Sequence, residues 1–132
     1  MIKKQFTLYL ENKHGELART TEVLAAAKVN IEGISVSEGT DVGLVQIVVS
    51  NAAATKRALA KARIPFTVQD VAMLPLKNKP GVLSAVASKL AKAGVNINYV
   101  YGTSCNCGCN CDCNIIISAP NLKKVEKIWK AD

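Results

Sequence analysis

The feature that most constrains this chain is that it contains one stretch twice. Shifted by 66, residues 10–34 fall on 76–100, and Leu10, Asn12, Lys13, Gly15, Leu17, Leu24, Ala25, Ala27, Val29, Asn30 and Ile31 meet identical residues, 11 of 25 positions. A repeat of this size means two copies of one supersecondary unit. The 132 residues leave about 60 for each copy, near the lower limit for independent folding. The two copies are therefore expected to pack as a pseudo-symmetric pair.

The order of elements in one copy follows from periodicity. Phe6, Leu8 and Leu10 alternate with Gln5, Thr7 and Tyr9, the pattern of a half-buried strand. The strand ends at Asn12-Lys13-His14-Gly15. A helix to about Lys28 follows, with Leu17, Thr21, Leu24 and Ala27 on the face expected to be buried. The β-branched run from about Asn30 to Ser37 is a second strand, 38–41 a hairpin turn, and Gly43–Ser50 a third strand. Asn51 can cap a helix of strong helix formers, Ala52 to Ala62, which Ile64-Pro65 stops. Phe66 to Leu76 is extended and long enough to end the first copy and begin the second.

The second copy repeats this order, with Pro80 in place of His14 and a helix from about Gly81 to Ala93 that carries Leu83, Val86, Leu90 and Ala93. The run Ile115-Ile116-Ile117-Ser118 matches Ile47-Val48-Val49-Ser50 at an offset of 68, so the second hairpin is two residues longer. Pro120 suits the first turn of a last helix striped by Leu122, Val125, Ile128 and Trp129. No counterpart of the strand at Phe66–Asp70 follows. The fold class is thus α+β: two ferredoxin-like βαββαβ repeats, antiparallel sheet with helices on one face, the second repeat lacking its last strand. The domains are expected at 1–70 and 71–132. A sheet edge left open by the missing strand invites a second chain, so a homodimer or higher oligomer is expected.

Charge and composition narrow the classes of function. The net charge is +7, but the cations are scattered, apart from Lys123, Lys124, Lys127 and Lys130 on the last helix, and the strands lack the aromatic stacking pattern of an RNA-reading sheet. Nucleic-acid binding is disfavoured. The N-terminal run is too short and polar for a signal peptide, and nothing approaches the roughly 18 apolar residues of a membrane span, so a cytoplasmic protein is expected.

Two motifs carry a family resemblance. Leu76-Lys77-Asn78-Lys79-Pro80-Gly81 at the end of a strand, and Gly94-Val95-Asn96-Ile97 after the helix, recur in the first copy with His14 for the proline and Lys28 for the glycine. In these the chain resembles the ACT domain proteins, most closely small stand-alone ones with two ACT domains in tandem and no enzyme attached. The resemblance covers nearly the whole chain. It implies a regulatory module that binds a small ligand, most often an amino acid, where two domains meet, using the loop after strand 1 and the start of strand 2. Carried onto this sequence, the candidates are Asn12, Lys13, His14, Gly15, Glu16, Leu17, Asn30 and Ile31, and in the second copy Asn78, Lys79, Pro80, Gly81, Val82, Leu83, Asn96 and Ile97. A helix N-terminus with unpaired N–H groups is a natural seat for a carboxylate. The same Asn, Pro and Gly residues also serve any tight strand-to-helix turn.

Catalysis is not indicated. With a single histidine there is no imidazole pair, and no G-x-S-x-G, P-loop or H-E-x-x-H occurs. The remaining chemistry lies in the cysteines. Cys105, Cys107, Cys109, Cys111 and Cys113 occupy alternate positions in nine residues of the second hairpin, and the first hairpin has none. Side chains two apart on a strand share a face, and a turn near Gly108 would fold the halves together, so either geometry gathers three or four thiolates. Soft thiolates favour Zn, Cu(I) or an iron–sulfur centre; the C-x-C repeat lacks the C-x-x-C spacing typical of zinc ribbons and bacterial ferredoxins, and Zn or Cu(I) ranks above a cluster. The alternatives to a ligand sensor are a metal-binding or thiol redox-sensing module and a structural partner of another protein.

Overall fold

The structure is a computed structural model that describes residues 1–37, 42–103 and 113–130. The hairpin turn at 38–41 and most of the cysteine run lie outside the described residues. In chain order the elements are β1 (Ile2–Glu11), α1 (Glu16–Ala26), β2 (Ile31–Ser37), β3 (Val42–Val49), α2 (Ala52–Lys61), β4 (Phe66–Leu76), α3 (Val82–Lys92), β5 (Tyr99–Thr103), β6 (Cys113–Ser118) and α4 (Leu122–Lys130). They form two compact units, Lys4–Gln69 and, in the other, Met1–Lys3 together with Asp70–Asp132.

In the Lys4–Gln69 unit β3 lies between β2 and β1, both antiparallel to it, with Phe6 opposite Ile47 and Leu8 opposite Val45. These side chains share the face on which α1 and α2 sit, and with Leu24 and Leu59 they make an aliphatic core. On the far side of β1 the Tyr9 N–H donates to the Pro65 carbonyl at 3.1 Å, and the Tyr9 and Thr67 hydroxyls are 3.4 Å apart. In the other unit β6 pairs with β4 and β5, and Ala72, Leu74, Val86, Leu90, Ile117 and Val125 form its core.

The first three residues belong to the unit of Asp70–Asp132 and border β4 there. Met1 and Met73 exchange both backbone bonds, at 2.8 and 3.0 Å, the signature of a closely bonded antiparallel pair. The Met1 ammonium also meets Glu126 at 2.9 Å, and this hydrogen bond holds the Glu126 carboxyl below its ordinary range. Further along β4, Pro75 has no N–H to offer, and its carbonyl accepts from the Trp129 indole N–H at 2.7 Å. The chain's own residues therefore satisfy this stretch of β4.

The helix faces depart from the sequence reading at their first turn. Thr20 and Leu24 are the buried residues of α1, and Val86 and Leu90 those of α3, whereas Leu17 and Leu83 are 42% and 47% exposed. Thr20 tolerates burial because its hydroxyl donates to the Glu16 carbonyl at 2.8 Å. Pro120 is also displaced from its expected place: Asn121 follows it as the cap of α4, its Oδ1 accepting from the Lys124 N–H at 3.1 Å. Asn51 caps α2 in the same way.

Three helices end alike. After α1, α2 and α3 the chain enters the left-handed region at Lys28, Arg63 and Gly94, with φ of 59°, 58° and 77°. In each the next N–H reaches back to the last helical turn, as in Val29 to Leu24, Ile64 to Leu59 and Val95 to Leu90. Glycine adopts this conformation without steric cost, and a side chain there costs about 1–2 kcal/mol. Lys28→Gly is expected to raise stability by about 0.5–1 kcal/mol, the relief being partly offset by the freer unfolded chain, as read from the midpoint of urea unfolding.

Candidate functional site

Where β1 meets α1 the chain turns through Gly15, at φ 89°, and where β4 meets α3 it turns through Gly81, at φ 86°. A Cβ built on either would meet nothing within 4 Å, so it is the backbone angle, not crowding, that calls for glycine. Neither α1 nor α3 has a side-chain cap, in contrast with α2 and α4. At both loops the cap residue is thus a glycine with no side chain to offer the first-turn N–H groups, and at the second the Val82 N–H turns back to the Lys79 carbonyl at 3.4 Å.

Two grooves flank the first loop. One, of about 420 Å³, is lined by Tyr9, Leu10, Glu11, Lys13, Glu16, Arg19, Arg63 and Pro65. Its charges are largely matched within the wall, Lys13 with Glu11 at 3.0 Å and Arg19 with Glu16 at 3.2 Å. The bond to Glu11, then the charges of Glu11 and Glu16, hold the Lys13 ammonium above its ordinary range. The other groove, of about 280 Å³, runs from Asn12, Lys13, Glu16 and Leu17 to the far ends of β2 and β3 at Val36, Ser37 and Gly43. The second loop borders one groove of about 610 Å³, in which Lys77, Gly81 and Val82 face an apolar wall of Pro75, Leu76, Ala85, Val86 and Trp129.

The structure gathers part of the expected site. Asn12 to Leu17 are consecutive on the loop and α1, with Asn12, Lys13 and His14 exposed. Asn30 and Ile31 are elsewhere. Strand register sets Ile31 beside Val49 and Glu11 beside Val42, so within the unit the start of β2 is about 20 Å from the loop. Asn30 is engaged locally, its N–H donating to Ser50 Oγ and its carbonyl accepting from the Ser50 N–H, each at 3.0 Å. Asn78, Lys79, Pro80, Gly81, Val82 and Leu83 likewise form the second loop and first turn of α3, whereas Ile97 packs on the core and Asn96 precedes it before β5. Sequence reasoning missed Arg63 and Trp129. A cue existed for Trp129, the chain's one tryptophan. None existed for Arg63, which reaches the loop only through the packing of α2.

Of the cysteines, Cys113 is described: it begins β6, is half-buried, carries a free thiol, and pairs with Leu76 at the end of β4 from which the second loop departs. Cys105, Cys107, Cys109 and Cys111 lie outside the described residues, and among the described residues no three His, Cys, Asp or Glu side chains are grouped to hold a metal. No helix among those residues is long and apolar enough to cross a membrane.

Two ferredoxin-like units in one chain, each opening grooves where its first strand turns into its first helix, place the protein in the class of tandem ACT folds. The particular family is then direct: a family model described as an ACT domain pair matches residues 1–121, and the chain belongs to that family. The chain is similar to a protein of solved structure from Bacteroides thetaiotaomicron, at 31% identity over 99% of this chain and 88% of the other, with a TM-score of 0.89. The fold is shared with the regulatory subunit of aspartate kinase from Thermus thermophilus in its ligand-free form (16% identity, 99% and 94% of the two chains, TM-score 0.71). The corresponding subunit from Thermus flavus shares it as well (16%, 99% and 94%, TM-score 0.61). No curated protein matches the sequence.

Proposed function

We propose that this ACT pair is a non-catalytic regulatory module that binds a small amino-acid-like carboxylate at its strand-to-helix loops. The observation that carries the reading is the contrast in caps: α2 and α4 are closed by Asn51 and Asn121, while α1 and α3, at the loops, begin on left-handed glycines with no side-chain cap. First-turn N–H groups without a side-chain cap from the glycine, together with the helix dipole, favour a carboxylate there. The walls differ between copies. The first offers Lys13, Arg19, Arg63 and two glutamates, suited to a ligand with polar groups at both ends. The second offers Trp129, Val82, Ala85 and Val86 beside Lys77, suited to a carboxylate with an apolar side chain. The two Thermus proteins are regulatory subunits of an enzyme, which supports a regulatory role rather than catalysis in this chain.

A thermal-shift screen of reduced protein against the common amino acids tests this. A ligand at a hundredfold its Kd stabilises by about 2.7 kcal/mol, so a site shows as a raised midpoint. Silence from every amino acid would favour the structural-partner reading. Light scattering of the same sample reports whether the chain forms a homodimer or higher oligomer, for which the outer strands β2 and β5 expose Ile34, Val36 and Val100.

The cysteine density favours a second reading beside the first. Thr103 and Asn114 are partners on β5 and β6, so the described residues on either side of the cysteine run lie side by side. We read Cys105, Cys107, Cys109, Cys111 and Cys113 as thiolate ligands of Zn or Cu(I). Elemental analysis of anaerobically purified protein is expected to find about one metal ion per chain, lost when all five are changed to Ser. Equal metal content in both would refute the site. Metal-free protein whose thiols oxidise reversibly would be a redox sensor instead.

A further inference from the structure

The outer surface of α1 and α2 carries a trough of about 620 Å³. Its floor and walls are small and apolar, among them Val23 and Ala26 of α1 and Ala54 and Ala58 of α2, and one side is edged by Arg57 and Lys61. A helix face turned to water is ordinarily covered by long charged side chains. The second copy carries lysine at most of the corresponding positions. There, by the repeat offset and the two Asn caps, Lys89, Lys92, Lys124 and Ile128 occupy the positions of Val23, Ala26, Ala54 and Ala58. At three of these four positions a lysine thus stands in the second copy where the first has valine or alanine.

Charge identifies the occupant. Arg57 and Lys61 are one turn apart on α2, a helix with no acidic residue, and among the described residues neither makes an ion pair. They belong to a chain of net charge +7, for which a second copy is electrostatically a poor match. We infer that the α1–α2 trough docks an acidic amphipathic helix of a partner protein, its apolar side chains in the alanine-lined floor and its carboxylates on Arg57 and Lys61. Apolar residues three and four apart fill such a groove, and flanking charge sets the choice of partner. The placement also connects it to the loop. α1 begins at Gly15 and its last turns form one wall of the trough, so a single helix of about 16 Å touches both places. A module with no catalytic machinery of its own acts through such a contact.

The test uses the whole protein and a synthetic helical peptide with leucines along one face and glutamates beside them, followed by fluorescence anisotropy. A peptide with lysines for the glutamates is the control. The glutamate peptide is expected to bind at least about tenfold tighter than the lysine peptide, and to weaken about tenfold on the double change Arg57→Glu, Lys61→Glu. Ala58→Trp, which fills the floor, is expected to abolish binding. Should that variant not fold, the two exposed charge changes still decide the question. Equal binding of both peptides, or binding that none of these changes weakens, would overturn the inference. So would a dimer of the native chain that Ala58→Trp dissociates, since the occupant would then be a second copy. None of these readouts depends on a ligand at the loops, so an absent loop ligand and an absent partner are distinguished.

Discussion

Phe6→Ala is expected to lower the stability of the Lys4–Gln69 unit by about 3–5 kcal/mol, the usual range for truncating a buried aromatic ring. Phe6 is fully buried at the centre of the core with Leu8, Leu24, Ile47 and Leu59. Its ring lies 5.6 Å from that of Phe66 at an angle of 48°, a tilted pair worth about 0.5–1.5 kcal/mol beyond the area it buries. These are the chain's two phenylalanines, and the surrounding aliphatic side chains are held by strands on one side and helices on the other, so little can collapse into the space. Hydrogen exchange of the β1 and β3 amides reads this unit directly, while Trp129 fluorescence reports the other. A loss below about 1 kcal/mol would show that Phe6 is not packed as described.

Gly81→Val is expected to cost about 2 kcal/mol and to abolish the ligand-induced rise in melting temperature that the second loop is proposed to give. At φ 86° a β-branched residue is strained, and since a Cβ there meets nothing within 4 Å the stability loss is chiefly that of the backbone angle. The effect on binding has a separate origin, because the new side chain stands where the ligand would approach the N–H groups of α3. Gly81→Asn separates the two. Asparagine tolerates the left-handed region, so most of the stability is expected to return while close approach stays blocked. Unchanged binding in Gly81→Val would exclude this loop as the site. The parallel change at Gly15 examines the first loop by the same logic.

The sequence by itself determined whatever depends on neighbours along the chain. The repeat, the strand and helix order, the glycine turns at 15 and 81 and the Asn51 cap could all be read from spacing and residue type, because backbone sterics, capping and periodicity act within a few residues. The family could be read for the same reason, since its motifs lie in those turns. Other features were decided by the tertiary structure. Met1 pairs with Met73 and Trp129 bonds Pro75, across 72 and 54 residues, and nothing local distinguishes these pairings from others that the same strand and helix could make. Leu17 and Leu83 fit the apolar stripe by spacing yet stand exposed, because periodicity gives a helix a face but not how far that face extends over a sheet. Arg63 reaches the first loop, and Asn30 and Ile31 lie about 20 Å along the strands from it, for a related reason. A ligand groove is formed by the ends of several elements, and which ends meet is set by strand register and helix packing rather than by any one segment.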